Sequence, residues 1–355
     1  MSFDPIDFLE RAVQTPSHES VEGMRELVVA TIEDAGVEPT VDDAGNVLAE
    51  KGAGRPRIVL NTHLDTVPPH QPFERTAERI RGRGSCDAKG PLAAILAAFF
   101  AVKPTDGQVA LALTPDEEDA STGAAALEVD ADGVIVGEPT GLDACVAARG
   151  RFQGTVTLSG EGAHAADPAA GRNAVAGLEQ VLAGLASYDE TRGTASHPRL
   201  GAPTLTPTLV QGGEASNRIP ERAQLTFDRR TVPPETESEF FDGLQSHLRE
   251  QVPADLAVAV ERAERETPFL SGFETDADAA VVKAIVEAGA GEPRTFGAAT
   301  EASYFASEAP TVVFGPGDLS DETGPVAHGE REYVPIADVR EAGAILTRTL
   351  RALVA

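Results

Sequence analysis

Gly82-Arg83-Gly84-Ser85-Cys86-Asp87-Ala88-Lys89-Gly90 places an acidic side chain at the centre of a glycine-rich turn that runs directly into the apolar stretch Pro91 to Val102. Glycines there permit backbone dihedrals closed to other residues, and the apolar stretch that follows reads as a helix. Asp87 is therefore placed to face a cleft. One reading makes it a bridge between two metal ions, since a carboxylate offers one oxygen to each. The other makes it a loop aspartate that caps the helix. Spacing removes two further chemistries: a phosphate loop needs Gly-Lys-Ser/Thr, whereas here Lys89 precedes Gly90 and Pro91 follows. No Gly-x-Ser-x-Gly nucleophile elbow occurs around Ser85 or elsewhere.

Outward from that turn, acids and histidines recur at the ends of apolar segments. Asp7 to Val13 and Val21 to Ala35 have helical spacing, with Gly36 as a stop. Val37 to Val41 and Val47 to Ala49 read as short strands, and Arg57 to Asn61 as a buried strand ending in Thr62-His63-Leu64-Asp65. In alternating helix and strand proteins ligands gather beyond the carboxyl ends of strands, which is where His63 and Asp65 lie. Two residues apart on an extended segment, their side chains share one side. His63 can then bind a metal while Asp65 orients it, or the pair can be structural. Val109 to Thr114 leads to Pro115-Asp116-Glu117-Glu118-Asp119, and Val134 to Val136 leads to Gly137-Glu138-Pro139-Thr140. The acidic run is either a solvated face or a site in which Glu118 binds metal and Glu117 is a general base. Imidazole and carboxylate donors without thiolate suit zinc, cobalt or manganese.

Arg151 to Ser159 opens a different pattern. With strands Thr204 to Gln211 and Ala223 to Asp228 and helices Asn173 to Ser187 and Thr236 to Gln251, it predicts a small antiparallel sheet covered by two helices, inserted into the first fold. The expected divisions are 1–150, 151–265 and 266–355. The insertion holds His164, Asn217 and Arg229, each of which faces a ligand or ties a cap, turn or edge strand. The first sheet resumes with Gly297 to Ser307 and Thr311 to Phe314, and Gly324-Pro325-Val326-Ala327-His328-Gly329 sets His328 on a glycine-bracketed loop before the helix Ile336 to Ala355.

Composition narrows the class. At 355 residues, two domains are the prior expectation. Acids outnumber bases 57 to 29, a net charge of -28, and only Lys51, Lys89, Lys103 and Lys283 are lysines. Nucleic acid is disfavoured as a partner. Cys86 and Cys145 are too few for a disulfide framework, the first ten residues lack a signal-peptide pattern, and no run approaches a membrane span. A cytoplasmic, non-membrane protein is expected.

The ordered motifs Thr62-His63-Leu64-Asp65-Thr66-Val67-Pro68, Gly82 to Gly90, Asp116-Glu117-Glu118, Gly137-Glu138-Pro139 and Ala327-His328-Gly329 resemble those of the metallopeptidase M20 family, along nearly the whole chain. That family includes acetylornithine deacetylases, succinyl-diaminopimelate desuccinylases and glutamate carboxypeptidases. The resemblance implies an α/β fold: a zinc-exopeptidase-like catalytic domain with a mixed, mostly parallel sheet, plus an inserted α+β dimerisation or lid domain. It implies two divalent ions, zinc first and cobalt or manganese as alternatives, one held by His63, Asp87 and Glu138 and the other by Asp87, Glu118 and His328. Asp65 would support His63, and Glu117 would take a proton from the attacking water and return it to the leaving amine. It also implies a homodimer in which His164 reaches the partner's site, with Asn217 and Arg229 holding the substrate carboxylate. The segment Gly297 to Ser303 ends in Thr300-Glu301-Ala302-Ser303, which departs from the Thr-Ser-Asp type common in relatives, and is assigned only to the substrate pocket.

The leading expectation is hydrolysis of an N-acyl amino acid of the N-acetylornithine or N-succinyl-diaminopimelate type. Alternatives are a dipeptidase or carboxypeptidase, a hydrolase of lysine or ornithine linked to a carrier protein, and a binder without catalysis. Retention of Glu117 beside a full ligand set argues against the binder, which needs no general base. The charge adds one expectation. Like charges at -28 repel one another at low ionic strength, whereas at 1 M salt the Debye length falls to about 3 Å. A salt-requiring protein from a high-salt cytoplasm should melt markedly higher in molar salt than in dilute buffer; equal melting temperatures would leave only an acidic mesophilic enzyme.

Overall fold

A computed structural model describes residues 3–193 and 195–355. The chain divides into one unit of Met1–Ala148 with Glu274–Ala355 and a second of Arg149–Phe273. In the first, the sheet runs in the order Thr40–Val41, Val47–Ala53, Gly107–Thr114, Arg57–His63, Gly133–Val136, Thr311–Val313, Asp143–Ala148, and Gly291–Thr295 pairs with the last of these. Arg57–His63 lies parallel to both of its neighbours, and Thr311–Val313 parallel to Gly133–Val136. Val47–Ala53 and Thr40–Val41 add antiparallel pairs at one side. The sheet is thus mixed with a parallel centre.

Local sequence explains this arrangement. Ile58 to His63 and Val109 to Thr114 are buried without interruption, as strands covered on both faces must be. The helix Lys89–Ala101 is apolar almost all round and buried along its length, so it packs beneath other elements instead of presenting one face to water. It lies against the helices Pro5–Gln14 and Ile336–Val354. Gly343 permits the close approach to the latter, because a Cβ there would lie 3.3 Å from Ala97 Cβ. Asp4 starts Pro5–Gln14 by accepting a hydrogen bond from Ile6 N at 2.8 Å.

The second unit is an antiparallel sheet in the order Thr204–Gly212, Arg222–Thr231, Gly150–Ser159, Ala257–Arg262, with helices Leu178–Arg192 and Glu237–Gln251. Its core is aromatic, built on Phe152, Phe227, Phe240, Phe241 and Phe269. Phe269 belongs to this core and Arg151 N donates to Leu270 O at 2.8 Å, which carries the unit to Phe273, beyond the 265 expected from sequence. The first helix begins at Leu178, not Asn173, whose Oδ1 instead accepts from Ala176 N in the preceding turn. Thr236 is the N-cap of the second, in a capping box with Glu239. Ala257–Arg262 is a strand that the sequence reading left unassigned. Among the described residues, no helix is long and apolar enough to cross a membrane.

Candidate metal centre

Seven of the ten residues singled out in the sequence lie in the first unit, and the fold gathers them. His63 ends the central parallel strand, Glu117 and Glu118 follow the strand on one side of it, and Glu138 follows the strand on the other. Asp87 sits in the turn before Lys89–Ala101, where Gly84 holds φ +81° and the Asp87–Ala88 peptide is cis. A β-carbon at Gly84 would lie 2.7 Å from Thr66 Cγ2, so this turn admits only glycine there.

Asp87 is the meeting point. Its Oδ1 lies 3.2 Å from His63 Nε2, and its Oδ2 lies 3.3 Å from His328 Nε2. His328 Nε2 is also 2.9 Å from Glu118 Oε1. Donor atoms of His63, Asp87 and Glu138 fall within 4.8 Å of one another, and so do those of Asp87, Glu118 and His328. These are two three-residue sets that share one carboxylate, with nitrogen and oxygen donors only, a chemistry that fits zinc, cobalt or manganese. The neighbouring thiol stays out of the set, because Cys86 Sγ donates to Asp318 O at 3.4 Å.

Asp65 does more than orient His63. Its Oδ1 is 3.2 Å from His63 Nδ1 and also accepts from Glu117 N at 3.0 Å, while Oδ2 accepts from Glu118 N at 2.9 Å. One buried carboxylate therefore fixes both the imidazole and the backbone of the two glutamates. Asp116, by contrast, holds Thr122 and Gly123 through their backbone amides and is structural. Glu117 lines an open cleft with Asp87, Glu118, Glu138 and His328, and Phe296, Ala298, Ala299, Leu319 and Ala327 form its apolar wall. Ala298 and Ala299 fall in the segment Gly297 to Ser303 assigned to the substrate pocket from sequence, and Ala327 in the motif around His328, whereas Phe296 and Leu319 stand on loops without a local signal.

Burial and crowding set the charges. Burial alone would lower the His63 value, but Asp65 and Asp87 raise it well above the ordinary imidazole range. Asp87 and Glu118 push His328 up to about 10. Burial would raise Asp87, yet the two imidazoles hold it below the usual carboxylate range. Burial, then Glu138, lifts Glu117 well above that range, and burial, then Asp87, lifts Glu138. Glu301, fully buried with Oε1 accepting from Thr114 Oγ1 at 2.7 Å, is raised to about 7 by burial. Thr300 Oγ1 donates to Glu138 Oε1 at 3.0 Å, so this segment supports the centre from behind instead of merely lining a pocket.

The other three residues lie in the second unit. His164 and Asn217 are exposed; Ala166 N donates to His164 Nδ1 at 3.1 Å, and Ala165 N donates to Asn217 O at 2.9 Å. Arg229 corrects the expectation that it holds a substrate carboxylate. It is 0% exposed and donates from Nε to Glu235 Oε2 at 2.9 Å, from Nη2 to Glu235 Oε1 at 2.6 Å and from Nη1 to Asp189 Oδ2 at 2.8 Å. The guanidinium lies 4.9 Å from the Phe240 ring centre. The signal was legible: Ala223, Leu225, Phe227 and Arg229 share the inward phase of a period-two strand. Arg230 takes the outward phase and pairs with Asp228 at 2.8 Å.

Comparison with known proteins gives the family and the fold. The family model described as peptidase family M20/M25/M40 matches residues 59–352. A Pyrobaculum aerophilum protein named as a LysW-lysine/LysW-ornithine hydrolase is 34% identical over 86% of this chain and 84% of its own length. An acetylornithine deacetylase from Myxococcus xanthus is 33% identical over 90% of this chain and 85% of its own. The crystal structure of a Bacillus subtilis dinuclear metal-binding peptidase of family M20 superposes with a TM-score of 0.74 at 14% identity, covering 98% of this chain and 97% of that one, which shows a shared fold.

The protonation pattern has a measurable consequence for the protein stripped with chelator. A histidine raised on folding adds stability that is complete below its unfolded value of 6.5 and is lost as pH rises through its folded value, about 10 for His328. Raised Glu117 and Glu138 act in the same sense, whereas Lys89, which burial lowers to about 7, opposes them above that pH because the folded chain sheds a proton that the unfolded chain keeps. With the two imidazoles of His63 and His328 raised against one ammonium lowered, chelator-treated protein should melt lower at pH 10 than at pH 6.5 in high salt. A melting temperature that stays flat or climbs over that interval contradicts the assignment.

Proposed function

Since this chain belongs to peptidase family M20/M25/M40 and is a hydrolase, we propose that it cleaves the amide bond of an N-acyl amino acid of the acylated ornithine or lysine type, using two divalent cations, zinc first. The observation that carries the reading is the pair of donor sets joined through Asp87, with Glu117 in the same cleft but in neither set. His63, Asp87 and Glu138 would hold one ion, and Asp87, Glu118 and His328 the other. Such ions, when bound, polarise an amide carbonyl and acidify water, for zinc toward a pKa of about 7.

The protein's own groups account for the rest. Asp65 keeps the His63 ring oriented and sets the backbone of Glu117. Glu117, whose raised affinity for a proton suits a general base, takes one proton from the attacking water. The hydroxyl joins the acyl carbon, the carbon–nitrogen bond breaks, and Glu117 passes its proton to the departing amine. Phe296 and Leu319 give one side of the cleft an apolar surface against which a substrate can pack. The choice of amino acid is supported by the two relatives' names, which share ornithine. His164, as a group reaching the partner subunit's site, and Asn217, as a substrate-carboxylate contact, remain in this reading, supported by their exposure.

We also infer a homodimer, expected from the resemblance and supported by the edge strand Thr204–Gly212. That strand carries no ionisable residue, and it exposes Leu209 and Val210 in a chain of net charge -28. Sedimentation equilibrium in molar salt should give twice the chain mass; a monomer at all concentrations removes the inference. Metal-loaded protein in high salt should release amine from N-acetylornithine or a LysW-linked lysine or ornithine faster than from N-succinyl-diaminopimelate or dipeptides. Glu117→Gln should lower kcat by about 10²–10⁴-fold with metal content unchanged. Activity only for dipeptides would transfer the assignment to a peptidase, and full activity of the variant would eliminate Glu117 as the base.

A further inference from the structure

Behind the cleft lies an ion pair that the proposed chemistry does not use. Arg83 and Glu332 are both 2% exposed, and Arg83 Nη1 donates to Glu332 Oε2 at 2.7 Å. A charge pair withdrawn from water is tolerated only when its remaining donors and acceptors are also satisfied. Here they are satisfied by the segments that carry the metal ligands. Glu332 Oε1 accepts from the backbone amides of Cys86 at 3.0 Å and Asp87 at 3.1 Å. Arg83 donates from Nε to Pro69 O at 3.1 Å and reaches Gly329 O and His328 O at 3.4 Å each.

Two features show why His328 needs such support. Its φ is +61°, in the left-handed region that residues with a side chain rarely occupy unless their surroundings enforce it. Its side chain is also half exposed, so packing alone does not fix it. Glu332 itself is anchored through the backbone: Gly82 N donates to Glu332 O at 3.2 Å, and Tyr333–Pro335 then pairs antiparallel with Arg79–Arg81. The turn bearing Asp87 and the loop bearing His328 are 241 residues apart in sequence (328 − 87), and this pair ties them together.

We propose that Arg83 and Glu332 are positioning residues that set Asp87 against His328, and so hold chiefly the cation site formed by Asp87, Glu118 and His328. The inference rests on the two-cation reading above. It is tested by loading chelator-treated protein with Co2+ and following both calorimetric titration and the visible absorption of bound Co2+. Wild type should bind two ions. Glu332→Gln, which keeps the shape and one acceptor, should weaken one of them about 10–100-fold and alter its absorption while the other persists. The double variant Arg83→Met with Glu332→Gln, in which no buried charge is left unpaired, should recover melting temperature without recovering that ion.

If affinity recovers together with melting temperature, or both ions weaken equally, the pair acts through general stability and the proposal fails. Two ions bound normally by either variant overturn it as well. If Glu332→Gln does not fold, the double variant alone decides by the same criterion. A wild type that takes up no Co2+ overturns the two-cation reading and this proposal together.

Discussion

A single carboxylate that must meet two imidazoles at once is the constraint around which the first unit is arranged. Asp87 presents one oxygen to His63 and the other to His328. That requires the end of a central parallel strand, the turn before a buried helix and a loop near the end of the chain to converge within hydrogen-bond distance. The sheet supplies rigidity, since His63, Thr114 and Val136 end adjacent parallel strands and the acidic segments leave from the same edge. A charged group there is tolerated because its neighbours carry opposite charge or donate hydrogen bonds. The resulting site has protons to exchange and donor atoms close enough to share cations, which is the basis of hydrolysis in the proposed scheme.

How much of this the sequence discloses depends on the range of each interaction. His63, Asp65, Glu117, Glu118 and Glu138 could be read because each directly follows an apolar strand, and strand ends are local features. His328 was legible through its glycine-bracketed loop and the family resemblance, but its contact with Glu118 joins positions far apart in the chain. Arg83 and Glu332 gave no local signal: an arginine in a glycine-rich turn and a glutamate in a charged run both look solvated until the fold buries them against each other. Glu301 was similarly obscured, because nothing in Thr300-Glu301-Ala302 announces a buried carboxyl held by Thr114.

Arg229 is instructive for the opposite reason. Its residue type suggested a ligand, whereas its strand phase placed it inside, beside Glu235, Asp189 and Phe240. Phase outweighs type here because a strand turns alternate residues to one face whatever they are. The strand Ala257–Arg262 was missed for a related reason. Its valines are only half buried and its alanines exposed, so the alternation lacks strong apolar contrast. The late start of Leu178–Arg192 follows from Asn173, which satisfies a turn with its own side chain before the helix begins.

The cleft separates two kinds of residue by the elements that carry them. Cation donors come mainly from strand ends and a helix-bound turn, whereas Phe296, Ala298, Ala299 and Leu319 belong to connecting loops. Mutational drift can therefore reshape the wall one side chain at a time while the ligand skeleton stays fixed. Descendants of such a chain can exchange one acyl chain for another long before they lose the ability to hydrolyse either.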